Sequence, residues 1–226
     1  LISYYAFSTA RKAEQNQVWV GMSKETAHQL GTPTTSLMGN LELLRMKLDD
    51  QTILGEIEKD IDRLEKITER FSKIGSQPAL QREVLRPILA GVIEYIQSRS
   101  SKRVRFNLNF QEDEDLRVPL NKPLFEWVVE NLLKNAIDSM NGDGTIDIKV
   151  HGKGRQVLID VSDQGKGISR SKHKAIFQPG YTTKKRGWGL GLSLAKRIIE
   201  QYHKGRIFVQ HSEPGKGTTL RMMLKR

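Results

Sequence analysis

At Gly75-Ser-Gln-Pro78 the hydrophobic period of this 226-residue chain changes, and that change dictates two folding units of different class. Before it, Leu30, Leu37, Leu41, Leu44 and Leu48 recur at spacings of seven, four, three and four. After the polar break Leu48-Asp-Asp-Gln-Thr52, residues Leu54, Ile57, Ile61, Leu64, Ile67, Phe71 and Ile74 continue at threes and fours. Residues so spaced share one face of a helix, so each series is a single apolar stripe. A short polar connection between two such stripes makes an antiparallel helical hairpin. Two helices alone leave much of each stripe wet. A homodimer through residues 10–75, forming a four-helix bundle, is the expected completion.

Beyond the boundary, apolar residues alternate. Val104, Phe106, Leu108 and Phe110 form one run, Ile146, Ile148 and Val150 a second, and Val157, Ile159 and Val161 a third. Ile207 with Val209, and Leu220, Met222 and Leu224, complete the strand-like series. Helical patterns fall near 87–99, 122–140 and 190–203. Asn141-Gly-Asp-Gly144 and His151-Gly-Lys-Gly154 read as turns, the second joining two strands as a hairpin. The expected fold is an all-α hairpin over residues 1–75, a linker at 76–79, and an α+β sandwich over 80–226. In that sandwich a mostly antiparallel sheet carries helices over one face.

The absence of cysteine excludes disulfides, thiol chemistry and thiolate-bound zinc. No run of about 18 apolar residues occurs, so no stretch of this sequence reads as a membrane span. The opening Leu1-Ile-Ser-Tyr-Tyr-Ala-Phe7, followed by Arg11-Lys12, has the pattern of an exit from a membrane helix at its aromatic belt. On that reading the full-length protein is anchored in the inner membrane N-terminal to residue 1, and this portion is cytoplasmic. The net charge of +11 lies wholly in the second half. Residues 1–75 hold 10 Lys and Arg against 11 Asp and Glu, and residues 76–226 hold 27 against 15. A basic half of this kind suits nucleic acid, an anionic membrane surface or a polyphosphate. No nucleic-acid motif accompanies it, and the tryptophans do not interleave with the basic residues as a stacking platform does, so no nucleic-acid partner is expected.

Four short segments of the second half carry chemistry. Glu130-Asn-Leu-Leu-Lys-Asn-Ala-Ile-Asp138 puts Asn131 and Asn135 four apart on one helical face, and amide oxygens are hard ligands suited to Mg²⁺. Asp163-Gln-Gly-Lys-Gly167 ends a strand with a carboxylate able to accept from an exocyclic amine, beside glycines that permit close backbone approach. Ile176-Phe-Gln-Pro-Gly-Tyr-Thr-Thr-Lys184 leads into Gly187-Trp-Gly-Leu-Gly-Leu192, glycines placed just before a helix start as in a phosphate cradle. Seven Lys and Arg lie between Lys166 and Arg186, a composition that suits a mobile cover over a polyphosphate. Gly215-Lys-Gly-Thr218 turns into the last strand. It is not a P-loop: that motif needs Gly five residues before the Gly-Lys pair and Ser or Thr after it, and here Gln210 and Gly217 stand there.

In the first half His28 lies nine residues before Leu37, so at about 100° per residue it points away from the apolar stripe. Pro33 removes an amide hydrogen and bends the helix just past it. An exposed imidazole of near-neutral pKa is available as a nucleophile.

The order of the four segments resembles the ATP-binding domain of the family that groups histidine kinases with gyrase-type ATPases, in which they match the N box and the successive glycine-rich boxes. His28-Gln-Leu-Gly-Thr-Pro33 resembles the phosphoacceptor box of two-component sensor histidine kinases, so the resemblance covers nearly the whole chain. It implies ATP and Mg²⁺ as cofactors, autophosphorylation of His28, and transfer to an aspartate on the receiver domain of a response regulator. It further implies that Asn135, with Asn131 beside it, binds Mg²⁺, and that Asp163 holds the adenine amine near Gly165, Gly167 and Thr218. Lys184, Lys185 and Arg186 would neutralise the phosphates, with Gly187, Gly189, Leu190 and Gly191 folding over them.

Two positions refine the resemblance. Gyrase-type ATPases carry a water-activating glutamate four residues before the metal asparagine, where this chain has Asn131, which argues against that branch. The kinases usually follow the histidine with an acid, where this chain has Gln29. Glutamine fixes a tautomer but takes no proton, and a general base contributes about 10²–10⁴ in rate. Three readings stay open: Gln29 suffices for a slow kinase, Glu25 one turn earlier acts as base, or the protein is a phosphatase-dominant member or nucleotide-binding signalling scaffold. Thr32 matches the position that orients water when such proteins dephosphorylate their regulators.

Overall fold

The computed structural model describes residues 30, 34–46, 78–111, 116–184 and 189–226, together with 54, 55, 57, 58, 61, 62, 64, 65 and 68. The chain divides into two compact units, Leu1–Pro78 and Ala79–Arg226.

In the first unit residues 34–45 are helical, as is every described position from 54 to 68. Thr34 Oγ1 donates to the Leu30 carbonyl at 2.6 Å and Thr68 Oγ1 to that of Leu64 at 2.9 Å, the bond to the preceding turn by which a polar β-branched residue is accommodated in a helix. Leu41, Leu54 and Ile61 form a small buried cluster, and Arg45 pairs with Glu58. The two segments therefore pack on each other. Yet Leu37, Leu44 and Ile57 of the same stripes stay 44, 41 and 39% exposed, so each stripe is only half covered within one chain. The 48–52 connection lies outside the described residues, as do Leu48, Ile67, Phe71, Ile74 and the opening aromatic segment.

The second unit is built on five strands: β2 (Val104–Phe110), β4 (Gly144–Lys153), β5 (Gln156–Asp163), β6 (Arg206–Ser212) and β7 (Thr218–Lys225). Their order is β2-β4-β5-β7-β6. Only β2 and β4 run parallel, and the chain between them is long enough for the crossover that parallel pairing needs. Two further strands, β1 (Gln81–Val84) and β3 (Arg117–Leu120), form a separate antiparallel pair; Val118 and Leu120 alternate inward in β3, whereas Gln81, Arg82 and Glu83 of β1 carry no apolar pattern. Among the described residues three α-helices accompany the strands: α1 (Leu85–Gln97), α2 (Lys122–Ser139) and α3 (Gly191–Arg197), the last continuing as a π-helical turn over Ile198–Tyr202.

The core explains this arrangement. Leu85 and Leu89 of α1 and Leu124, Phe125, Val128, Val129, Leu132 and Leu133 of α2 are fully buried, and share one cluster with Ile146, Ile148, Val157, Ile159, Met222 and Leu224 from the sheet. The alternation thus lays one face of the sheet under the helices. Across the other face Arg221 grips Asp160 with two hydrogen bonds of 2.7 and 2.6 Å, which raises the pKa of the guanidinium.

One expected turn moves. His151, Gly152 and Lys153 belong to β4, with Lys153 opposite Gln156, and the chain reverses at Gly154-Arg155. A two-residue hairpin loop needs positive φ at its first position, and Gly154 supplies it at +61°, leaving the preceding residues free to extend the ladder.

His203 ties the start of α2 to the end of the π turn. Its Nε2 accepts from the Asn121 amide at 3.0 Å, while Nδ1 donates to the Ile198 carbonyl at 2.9 Å. Both bonds together require the neutral ring, and burial lowers its pKa below the usual 6.5. The unfolded chain then binds a proton that the folded one refuses. Stability is complete above about pH 6.5 and falls as the pH drops from there toward the folded value. Urea midpoints at pH 7.5 and 5.5 are expected to differ less in His203→Gln, whose amide keeps both bonds without titrating. An equal drop in variant and wild type would refute this assignment.

Candidate functional site

Helix α2 ends beside the end of β5. Ser139, its last residue, donates to Asp163 Oδ1 at 2.8 Å, and the Gly165 amide donates to the same oxygen at 2.8 Å. Thr218 begins β7 directly across the ladder from Asp163 and supplies a further backbone bond to the carboxylate. Burial nevertheless raises the Asp163 pKa, the three donors opposing that shift. Such a carboxylate, half enclosed and fixed by donors on one side, presents its remaining lone pairs to an incoming N–H.

The glycines here are obligatory for close approach. A Cβ on Gly165 would stand 2.0 Å from Ser139 Oγ, one on Gly167 would stand 1.9 Å from the Glu213 carbonyl oxygen, and one on Gly217 would stand 2.0 Å from that of Asp163. Gly167 and Gly217 also have φ of +66° and +90°. Gly217→Ala is therefore expected to destabilise this unit by about 1–3 kcal/mol, read as a lowered urea midpoint, and to weaken nucleotide binding at Asp163. An unchanged midpoint would mean that the corner yields. Behind it Ser212 Oγ links the Ile168 amide (2.8 Å), the Gly217 carbonyl (3.0 Å) and Thr218 Oγ1 (2.9 Å), so the two glycine turns move as one.

One and two turns back along α2 stand Asn135 and Asn131. Both face the start of α3: a Cβ on Gly191 would meet Asn131 Oδ1 at 3.3 Å and Asn135 Nδ2 at 4.0 Å. Asn131 Nδ2 is buried and lacks a hydrogen-bond partner among the described residues. Leu190, in the capping position, makes no side-chain cap bond, which leaves the first amides of α3 to be satisfied otherwise. Gly189, at φ +65°, packs on Gly180 and Tyr181. Lys184 Nζ donates to Asn135 Oδ1 at 2.8 Å and to Asp138 Oδ2 at 2.5 Å.

From Asn131 to Ser139 the helix climbs about 12 Å at 1.5 Å per residue. Asp163 marks one end of this line and Asn131 the other, with the cation-holding oxygens of Asn135 and Asp138 between them. Of the residues expected from the sequence, Asn131, Asn135, Asp163, Gly165, Gly167, Lys184, Gly189, Leu190, Gly191 and Thr218 fall along it. Lys185, Arg186 and Gly187 lie outside the described residues, and so do His28, Gln29, Thr32, Pro33 and Glu25. Ser139 and Asp138 were not anticipated. Ser139 is one turn beyond Asn135, the only hint of its part in the sequence.

The donor set suits a metal that arrives with its own ligands. Among the described residues no group of three or more acidic or histidine side chains gathers to hold an ion unaided. Two amide oxygens with Asp138 nearby fit Mg²⁺, which keeps several waters and takes the rest of its shell from phosphates. Glu130, the acid nearest the place of an ATPase base, is buried and holds Lys134 Nζ at 3.3 Å. Among the described residues no helix is long and apolar enough to cross a membrane.

Comparison with known proteins agrees with this geometry. Residues 121–226 match the family described as histidine kinase-, DNA gyrase B- and HSP90-like ATPase, and residues 21–77 the His Kinase A (phospho-acceptor) domain. Sporulation kinase D of Bacillus subtilis is 31% identical over 209 residues, which are 90% of this chain and 41% of that protein. The chain thus spans about two-fifths of the length of this curated relative. The solved catalytic domain of histidine kinase ThkA is 28% identical with a TM-score of 0.60, covering 66% of this chain and 96% of that one. Histidine kinase ThkA in complex with response regulator protein TrrA is similar at 24% identity and a TM-score of 0.62, covering 100% of this chain and 67% of that one. With a phospho-acceptor domain followed by an ATPase-type domain, the chain belongs to the sensor histidine kinases of two-component systems.

Proposed function

We propose that this chain is the kinase core of its parent sensor protein. It takes ATP with Mg²⁺ as substrate, transfers the γ-phosphoryl group to His28 and passes it to an aspartate on a response regulator receiver domain. Residues 1–75 serve as the dimerisation and phosphotransfer hairpin, 76–79 as the linker and 80–226 as the ATP-binding domain. The parent protein is anchored in the membrane N-terminal to residue 1, with this portion on the cytoplasmic side.

The observation that carries the reading is the line along α2, with the Asp163 carboxylate at one end and, one turn back from Ser139, Asn135 Oδ1 already holding an ammonium. Asp163 accepts from the adenine amine in the corner formed by Gly165, Gly167 and Thr218. Asn135, assisted by Asn131, supplies amide oxygen to Mg²⁺, which neutralises phosphate charge when bound. Lys184, Lys185 and Arg186 take the remaining negative charge, under the glycines at 187, 189 and 191. A neutral His28 nitrogen attacks the γ-phosphorus in line. The new P–N bond forms as the bond to the bridging oxygen breaks, ADP leaves, and the imidazole releases its N–H proton. Little covalent work falls to the protein, so positioning and charge neutralisation dominate.

The half-covered stripes support a homodimer, since Leu37, Leu44 and Ile57 are the residues that a second copy would cover in a four-helix bundle. The response regulator is supported by the complex of the related ThkA with TrrA. Gln29 favours one further reading, a phosphatase-dominant member with weak autokinase activity in which Thr32 orients water. Incubation with γ-labelled ATP and Mg²⁺ separates the two. Acid-labile, alkali-stable label on the wild type is the expected result, rising in Gln29→Glu. Lack of label on both proteins removes the kinase reading.

A further inference from the structure

Lys184 stands where a cation is needed. Its Nζ bridges Asn135 Oδ1 at 2.8 Å and Asp138 Oδ2 at 2.5 Å, two residues three apart on one face of α2. The backbone beneath it is braced. The Lys184 amide donates to Thr182 Oγ1 at 3.1 Å, and Lys166 Nζ reaches Thr183 Oγ1 at 3.1 Å. Gly180 N donates to the Gly189 carbonyl at 3.1 Å, which closes the neck of the segment that carries Lys184. Lys184 and Asp138 are 42 and 53% exposed, so the pair is open to exchange and not sealed in the core.

An ammonium and a divalent metal cannot share the outer side of Asn135 Oδ1, because two cations within about 4 Å repel. Admission of the metal therefore requires Lys184 to leave both oxygens. That cost is the same whichever nucleotide brings the metal. The nucleotides differ in what they offer in return. A terminal γ-phosphate gives the displaced ammonium a charge-assisted partner of its own, which offsets the lost contacts. A diphosphate has no such group to give.

We propose that Asp138 is a positioning residue that holds Lys184 on the metal-binding oxygen of Asn135, so that the empty site resists any magnesium nucleotide until this pair is broken. The proposal rests on the reading of Asn135 as the metal-binding residue. In the empty site Asp138 keeps the ammonium parked, Mg-ADP must displace it without recompense, and Mg-ATP displaces it onto the γ-phosphate.

Calorimetric titration of the full chain tests this, with Mg-ADP and with the magnesium complex of an ATP analogue whose β–γ bridge is an imido group. Asp138→Asn is expected to bind Mg-ADP and the analogue complex both about two- to fivefold more tightly, the range of an exposed ion pair, and to have no such effect in a Lys184→Met background. Lys184→Met is expected to bind the analogue about tenfold more weakly, without weakening for Mg-ADP. A stoichiometry near that of the wild type reports that each variant is folded. The proposal is overturned by an Asp138→Asn protein whose affinity for both nucleotides is unchanged or reduced, or by an equal tightening when Asp138→Asn is placed in the Lys184→Met background. If Asn135→Ala binds both complexes as the wild type does, the reading of Asn135 fails, and the proposal with it.

Discussion

His28→Ala is expected to take up no acid-labile phosphoryl group from γ-labelled ATP, while still binding Mg-ATP with wild-type affinity. The two halves of that outcome come from the division of the chain. Residues 79–226 form a unit of their own, with its own core and every described member of the line along α2. The proposed phosphoacceptor, His28, belongs to the other unit. Removing the imidazole deletes the nucleophile and leaves the nucleotide contacts untouched, so the loss of labelling is complete. Binding measured by calorimetry and labelling measured on the same preparation make the comparison direct. Equal label on variant and wild type would place the acceptor elsewhere in the chain.

Asn135→Ala is expected to reverse that pattern, keeping His28 and losing the use of ATP. The amide oxygen sits on the polar face of α2, away from Leu132, Leu133 and Ala136, which pack into the core. The variant should therefore fold with an unchanged urea midpoint. Loss of one preorganised group that stabilises transition-state charge lowers rates by about 10²–10³, and labelling is expected to fall at least that far. Mixing the variants adds a second readout. In a homodimer, His28→Ala supplies an intact ATP site and Asn135→Ala an intact acceptor. Label recovered on the Asn135→Ala chain signals transfer between protomers, whereas its absence signals transfer within one. Full labelling of Asn135→Ala alone would remove the metal role assigned to this residue.

Much of this was legible in the sequence because it rests on local pattern. Alternation identifies β2, β4, β5, β6 and β7, each of which buries one face against helices, and the stripe through Leu124, Val128 and Leu132 identifies α2. The order of Asn135, Asp163, the glycine-rich run and Thr218 is local as well. What escaped depends on contacts between segments distant in sequence. Gln81, Arg82 and Glu83 are polar and form a strand only because Val118 to Leu120 lie alongside. Ser139 reads as an ordinary helix end until β5 finishes beside it. Asp138 reads as a solvated acid until Lys184 arrives from 46 positions on. The hairpin turn shifted to Gly154-Arg155 because a glycine pair offers two places for positive φ, and the ladder with β5 chooses between them.

The lone parallel pairing in the sheet has a bearing on how the domain opens. β4 and β5 meet through a two-residue turn, so their contacts form with little loss of chain entropy. β2 reaches β4 only after residues 111–143 have returned past it, and it occupies an edge of the sheet. A strand of that kind docks late in assembly and detaches early. It also contributes none of the residues along α2, β5 and β7 that are proposed to meet the nucleotide. Transient fraying at this edge therefore leaves the binding line whole. Amide protons of β2 are expected to exchange with solvent at rates that bound nucleotide does little to slow.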